Sequence, residues 1–530
     1  MTGTGKLIRL ILRRDRVLMP LWVVIIGLLP LSYISAFEGF FATDADRINY
    51  ARVSASNAGF VGLYGQLRGD SLDEMVVWRA GFIPVVIGLL ALLTVIRHTR
   101  TNEEAGRTEL LGATVLGRQA QLAAALITTA AACAVVGLIV TGTMIQAGAP
   151  AGGSVWFGVQ FTLAGWVFAG VAAVTAQLSE SARSARGYAI LALGIAWILR
   201  LAGDISAIGD GSMTWLSWLS PVGWLQHIYP YGANDAWPAV LAVVFAVAGT
   251  VAGVVLLGRR DIGGGIFAGR LGPASAAPSL RSPFALAWRL HRGLLAAWVV
   301  AFAALGAVFG GVGKSVTQLG DNKSVGEIFS RIGGADALAD AYIASVASIV
   351  GIIAATYAVQ ATLRLRDEEA TGHAEVVLST QSSRLGWAAS HLAFSLLGPA
   401  AALAAEGLTS GLVYGLTVGD VAGRLPRILG GVMAQVPAVW VLAAIAVLLF
   451  GLLPRYSAVA WAGVAVSLGL LLVGATLRLD QWVLDISPFT HVPHLPGGEL
   501  TWTPLLSLTA IAVVLAAAGL AGLRRRDLSG

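Results

Sequence analysis

The sequence predicts an all-α polytopic membrane protein made of two fused six-helix halves related by a pseudo-twofold repeat, about twelve spans in all. Three observations predict it. A mean hydropathy of +0.77, with 56% hydrophobic and only 12% charged residues over 530 positions, is too apolar for a soluble domain. The polar stretch Arg100 to Arg118, RTNEEAGRTELLGATVLGR, recurs without a gap 266 positions later at Arg366 to Arg384, RDEEATGHAEVVLSTQSSR, pairing Glu103 with Glu369, Gly106 with Gly372 and Glu109 with Glu375. Each copy follows a long apolar run and precedes another, so both halves show the same short surface to the same side of the bilayer.

Residues 3 to 16 place Leu7, Leu10 and Ile11 at helical spacing among Lys6, Arg9, Arg13 and Arg14, the pattern of a cationic amphipathic helix lying on the inner leaflet. Val17 to Ala36 is long enough for one span, and further spans are expected near 78 to 97, 120 to 145, 156 to 177, 187 to 202 and 238 to 258. The second half offers 293 to 311, 342 to 363, 386 to 417, 429 to 453, 457 to 477 and 504 to 523. It opens as the first does, with Arg289, Arg292 and Trp298 standing where Arg13, Arg16 and Trp22 stand, which argues against a cleaved signal peptide at the start. The division is 1–262 for the first half, 263–283 for a Gly-, Pro- and Ser-rich tether, and 284–530 for the second half. Ser220, Pro221 and His227 recur as Ser487, Pro488 and His494, and Arg259, Arg260 and Asp261 recur as Arg525, Arg526 and Asp527.

Of the 35 Lys and Arg residues, 24 fall in the N-terminus, the loops that follow even-numbered spans and the C-terminus. By the positive-inside rule these are cytoplasmic, both termini included. The net charge of +6 is then a topological signal, and no nucleic-acid partner is expected. Cys133 stands alone, which excludes an internal disulfide and a thiolate metal cage, and no catalytic or metal-binding constellation emerges. GGVGKS at Gly310 to Ser315 resembles the end of a phosphate-binding loop, but Val308 stands where that motif needs glycine. Gly263, Gly265 and Ala268 have dinucleotide-fingerprint spacing without a preceding strand. No ATP site is therefore expected in this chain.

Gly106 and Gly372 permit a sharp turn after the preceding span, and ELLGATVL and EVVLSTQS are each long enough for a short helix near the membrane surface. The pattern E-x-x-G-x-x-E-L-L-x-x-T, followed by Arg118, resembles the coupling segment between the second and third spans of ABC-2-type ATP-binding-cassette exporter permeases. The duplicated layout, with Leu199 to Asp204, Ser220 to Trp224 and Arg259 to Gly263, resembles the fused twelve-span permeases of actinobacterial type that export polyketide antibiotics or multiple drugs. This resemblance implies the bacterial cytoplasmic membrane, a hydrophobic drug or secondary metabolite as substrate, and two copies of a separate ATP-binding subunit that carries the ATP and Mg. It implies coupling or docking roles for Glu103, Gly106, Glu109, Leu110, Leu111 and Arg118 and for Glu369, Gly372, Glu375 and Arg384. The second copy departs from the pattern at His373, Ala374, Val376 and Gln381, so the first is expected to contribute more. The acidic residues would pair with basic residues of the partner or hold the turn.

Glu406 is the carboxylate deep in an expected span, where charge is expensive. It is a candidate for substrate contact or proton handling, or for a hydrogen bond between helices. Arg200 with Asp204, and Arg478 with Asp480, are expected to form structural pairs at outer span ends. His227 and His494 read as an interfacial aromatic belt or as an exit gate. Two other function classes fit less of the pattern: a proton-coupled secondary transporter of twelve-span type, and an integral membrane enzyme, which would want several convergent ionisable groups.

Overall fold

The computed structural model describes residues 2–41, 43–112, 116–208, 211–261, 263–267, 274–320, 334–473 and 480–527. These are helices and connections, with no strand among them. Eleven helical segments are long and apolar enough to cross a membrane among the described residues. The chain divides into two compact units, Met1–Gly272 and Pro273–Gly530.

In the first unit the main helices are α1 (Thr4–Arg14), α2 (Leu18–Phe40), α3 (Ile83–His98), α4 (Ala120–Gln146), α5 (Ala151–Leu178), α6 (Ala182–Ile208) and α7 (Ala236–Arg259). Helix α5 is central: it packs on α3, α4, α6 and α7, and Phe157, Phe161 and Phe168 are fully enclosed. Helix α7 is peripheral and leaves Val243, Val244, Val247, Val251 and Val255 exposed, an apolar face suited to lipid. The segment between α2 and α3 carries three short helices, among them Ala58–Tyr64 and Leu72–Arg79. The second of these is started by a capping box between Ser71 and Glu74.

The break between α1 and α2 has a simple cause. Pro20 has no N–H to donate to the carbonyl of Arg16, and its ring crowds that carbonyl, so a helix continuous through residues 15 to 17 is disfavoured. The equivalent position of the second half is Ala296, and there the two segments run as one helix, α8 (Pro283–Gly320).

The second unit continues with α9 (Gly334–Ala370), α10 (Arg384–Val418), α11 (Val421–Met433), α12 (Val436–Leu452), α13 (Ala460–Val473) and α14 (Trp502–Arg525). The expected span at 429 to 453 is built from α11 and α12, offset at Ala434 and Gln435 before Pro437. The expected span at 457 to 477 is described only in part. Helix α13 begins only after a 3-10 turn at Pro454–Val459 and has 14 residues, and 474–479 lie outside the described residues. Eleven rather than twelve spans are therefore described. GGVGKS, from Gly310, continues α8 as helix and forms no phosphate-cradling loop.

Both units end with the same crossing. Gly253 on α7 lies against α5, where a Cβ would come 2.7 Å from the Ala173 Cβ. Gly519 on α14, also 266 positions on, lies against α12, where a Cβ would come 2.6 Å from the Val447 carbonyl oxygen. Only glycine allows these helices to approach so closely. The approach delivers Arg260 and Arg526, just past the two helix ends, to the duplicated loops.

Candidate functional site

After α3 the chain makes a short helix, Arg100–Glu104, turns at Gly106 with φ of 69°, and enters a second short helix, Arg107–Gly112. In the other unit α9 runs on to Ala370, turns at Gly372 with φ of 75°, and enters His373–Leu378. Positive φ at both glycines is the left-handed conformation that permits the sharp turn expected there.

Just before each turn a carboxylate is clasped by an arginine. Glu103 takes both guanidinium nitrogens of Arg260, each at 2.6 Å. Glu369 takes both nitrogens of Arg526, at 2.6 and 2.7 Å. Such two-point charge-assisted bonds fix orientation as well as distance. Past each turn, Arg118 donates to the carbonyl of Arg260 and Arg384 to that of Arg526, so the last residues of each unit are held from both sides. Glu103, Arg118, Glu369 and Arg384 thus turn inward and hold the turn. Glu109, Glu375 and Val376 are exposed on the short helices. The side chains of Leu110 and Leu111, and residues 113–115, lie outside the described residues.

The surroundings of the two clasps differ. In the first, Arg260 also donates from Nε to Gln177 Oε1 at 2.8 Å, Glu103 accepts the Gly263 N–H at 2.7 Å, and Arg100 adds a second ion pair to Glu103 at 3.1 Å. Arg100 is itself 1% exposed and donates to the carbonyls of Glu180, Gly263 and Gly264. The Glu104 carboxylate receives the Ala182 N–H at the start of α6, a favourable place for an anion. The tether's first residues are not loose: Ile266 and Phe267 donate backbone bonds to Gln177 and Leu178. In the second clasp Arg526 lies over the Phe450 ring, 5.0 Å from its centroid, and its Nε has no hydrogen-bond partner.

Beside the first clasp is a cavity of about 230 Å³ lined by Leu7 of α1, by Glu103, Thr108 and Arg118 of the loop, and by Gln177 and Arg260. Helix α1 is tied to the loop by Arg14, which donates to Asn102 Oδ1 at 2.9 Å, and by the Gly117 N–H bond to the Thr2 carbonyl. Asp15, buried, meets His98 at 2.5 Å and Arg97 at 3.1 Å.

At the opposite end of the first unit Arg200 is completely enclosed. It pairs with Asp204 at 3.4 Å and donates to the carbonyls of Val61 and Leu63, which makes it the structural pair expected there, extended to hold the preceding long loop. Arg478 lies outside the described residues. His227 is half-buried, stacked on Trp218 with centroids 4.3 Å apart. Arg68 can only donate, so His227 Nδ1 accepts at 3.3 Å, and the ring proton on Nε2 is given to Ser217 Oγ at 3.0 Å. Burial, and then the positive charge of Arg68, push this imidazole down to about 4, with Asp235 acting weakly the other way. The ring is therefore a neutral part of the loop packing. His494 is exposed.

Glu406 on α10 is fully enclosed, and neither carboxyl oxygen has a hydrogen-bond partner. Among the described residues, the interhelical hydrogen bond considered for it is not formed. Among the described residues no group of three or more His, Cys, Asp or Glu is placed to hold a metal ion.

Arg260 and Arg526 were visible in the sequence as a repeated basic cap, but their pairing was missed. The signal was present: Glu103 to Glu369 and Arg260 to Arg526 share one offset, so each acid stands 157 residues before its arginine. Gln177 and Phe450 carry no such signal, since each sits near the end of an apolar helix.

The family described as "Multidrug efflux system permease Rv1217c, C-terminal domain" matches residues 6–257 and 280–524, flanking the tether. The multidrug efflux system permease protein Rv1217c of Mycobacterium tuberculosis is 43% identical over 531 residues, covering 99% of this chain and 95% of that protein. The chain belongs to this family of multidrug efflux permeases.

Proposed function

We propose that this efflux permease is the membrane subunit of an ABC-2-type exporter, energised by two copies of a separate ATP-binding subunit that dock on the two duplicated loops. Its cargo is a hydrophobic drug or secondary metabolite, and the loops and both termini face the cytoplasm of a bacterial cell. The observation that carries this reading is the duplicated clasp. Each short helix, Arg107–Gly112 with Glu109 exposed or His373–Leu378 with Glu375 exposed, follows directly a carboxylate locked onto the end of α7 or α14. A push on either short helix is thereby delivered to two spans of the same half at once. An ATPase that changes shape with nucleotide must contact the two arrangements differently to shift their balance, and Glu109 and Glu375 offer it exposed charges.

The test is reconstitution. The tagged chain should copurify with a stoichiometric ATPase, and in vesicles the pair should show drug-stimulated ATP hydrolysis. A chain that exports drug with no ATPase present, driven by a proton gradient, would overturn the reading.

One observation favours that second reading: Glu406 is an enclosed acid without a partner, the type of residue that relays protons in secondary transporters. If it does so, Glu406→Gln abolishes proton-driven export. If export is ATP-driven, the variant alters transport without changing ATPase assembly, and a protonophore leaves ATP-driven export in vesicles intact.

A further inference from the structure

Helix α1 is buried on one side and cationic on the other. Leu7 and Ile11, four residues apart, are enclosed against the unit, and Asp15 continues that side. Lys6, Arg9 and Arg13, at spacings of three and four, share the opposite side and are exposed, with Arg16 just beyond the helix end. Leu10 and Leu12 flank this strip, 51% and 50% exposed. Asp15 is the sole acid in residues 2–16, and its carboxylate is consumed by His98 and Arg97. Lys6, Arg9, Arg13 and Arg16 make no ion pair among the described residues. A strip of uncompensated cations between exposed leucines, at the start of a membrane span, matches a layer with apolar chains below and negative charge above.

We propose that the outer side of α1 is a binding surface for anionic phospholipid headgroups, and that its occupancy orders the first duplicated loop but not the second. The relay is on hand: Arg14 holds Asn102, Asp15 holds the end of α3 through His98 and Arg97, and Thr2 accepts from Gly117 where the loop re-enters the bundle. The second half lacks this surface. Residues 282–292, in register with 6–16, contain only Arg289 and Arg292, and they are the first turns of the continuous helix α8. The surface needs no ATPase, so it stands or falls apart from the reading above.

The experiment uses the full chain in nanodiscs of phosphatidylcholine, with or without phosphatidylglycerol. Native mass spectrometry should show phosphatidylglycerol retained in preference to phosphatidylcholine, and the quadruple change Lys6→Gln, Arg9→Gln, Arg13→Gln, Arg16→Gln should cut that preference at least about tenfold, each basic residue near an anionic surface contributing on the order of a fivefold factor. Exchanging Lys and Arg at the same four positions keeps the charge and should keep the preference, which guards against a folding defect. Hydrogen exchange should slow over 100–118 when phosphatidylglycerol is added, with no change over 366–384, and Asn102→Ala should weaken that protection while lipid retention stays. Unchanged retention in the quadruple Gln variant would overturn the lipid surface, and so would loss of a copurifying protein with lipid preference intact, since the strip would then be a protein-docking face. Equal protection of both loops would overturn the relay.

Discussion

Glu103 and Glu369 make the same two-point bond to the same arginine of the repeat, but only the first is insured. Around Glu103 stand Arg260, Arg100 and the Gly263 amide, with Gln177 fixing the far side of the guanidinium. Around Glu369, among the described residues, stands Arg526 alone, and that arginine rests on Phe450 where its counterpart is hydrogen-bonded. The duplication has kept the ion pair and let its supports diverge. A bond with several supports behaves as an anchor, whereas one with a single support opens whenever that support is pulled away. Among the described residues, the second clasp is therefore held by fewer bonds than the first.

The strongest way to break this comparison is to remove each arginine in turn. Arg526→Ala strands Glu369, whose side chain is 2% exposed, with no second cation among the described residues, and should cost about 3–5 kcal/mol, the usual range for leaving one member of a buried pair alone. Arg260→Ala leaves Glu103 still held by Arg100 and the Gly263 amide and should cost less, about 1–3 kcal/mol. Thermal unfolding in detergent reads both. A larger loss for Arg260→Ala would mean that the extra bonds around the first clasp depend on that arginine rather than substitute for it.

The second contrast lies at the entry of each half. Ala296→Pro puts into α8 the residue that separates α1 from α2, removing a helical hydrogen bond and crowding the carbonyl of Arg292 at about 3 kcal/mol. Pro20→Ala should change stability by less than about 1 kcal/mol, because α1 is held in place by Leu7, Ile11 and Asp15 rather than by the proline. Proteolysis at the new break, between residues 290 and 296, would report the kink directly.

Function should follow the same asymmetry, on the reading that an ATPase docks on both loops. Glu109→Arg is expected to uncouple ATP hydrolysis from export more strongly than Glu375→Arg, with the bundle intact in both because each side chain is exposed and makes none of the clasp bonds. Drug-stimulated ATPase activity and export that survive in the double variant would place the coupling surface elsewhere.

Much of this molecule was legible before its coordinates. Apolar runs gave the helices because a bilayer leaves the backbone few other solutions. The span at 429 to 453 lies within the membrane-long segment Val421–Leu452, and what hydropathy does not register there is the offset before Pro437, which shifts the backbone without making it polar. The tether's glycines do more than give the chain freedom, because Gly263 and Gly264 let their carbonyls approach Arg100 closely. For the clasps, the sequence left open whether the acids meet a partner or hold the turn. Nothing local decides that, because four spans separate each acid from the deciding arginine.

The smallest expected effect sharpens the comparison at the opposite end of the halves, where His227 and His494 occupy matching places in the repeat. His227 is packed on Trp218 and accepts from Arg68, and its environment holds it down at about 4, whereas an unfolded chain would titrate near the ordinary value of about 6.5. Between those two values the unfolded segment binds more protons than the folded one, so stability falls as the pH is lowered through that window and is level above it. Protonation would also place a second positive charge against the Arg68 guanidinium and end the bond that Nδ1 accepts. His494 is exposed and has no such packing. Melting of the wild type in detergent should therefore drop by a few degrees between pH 7 and pH 5 in a part that His227→Gln removes and His494→Gln leaves. If His494→Gln removed as much of the pH dependence as His227→Gln, the closed packing of the first half would not be what distinguishes the two ends.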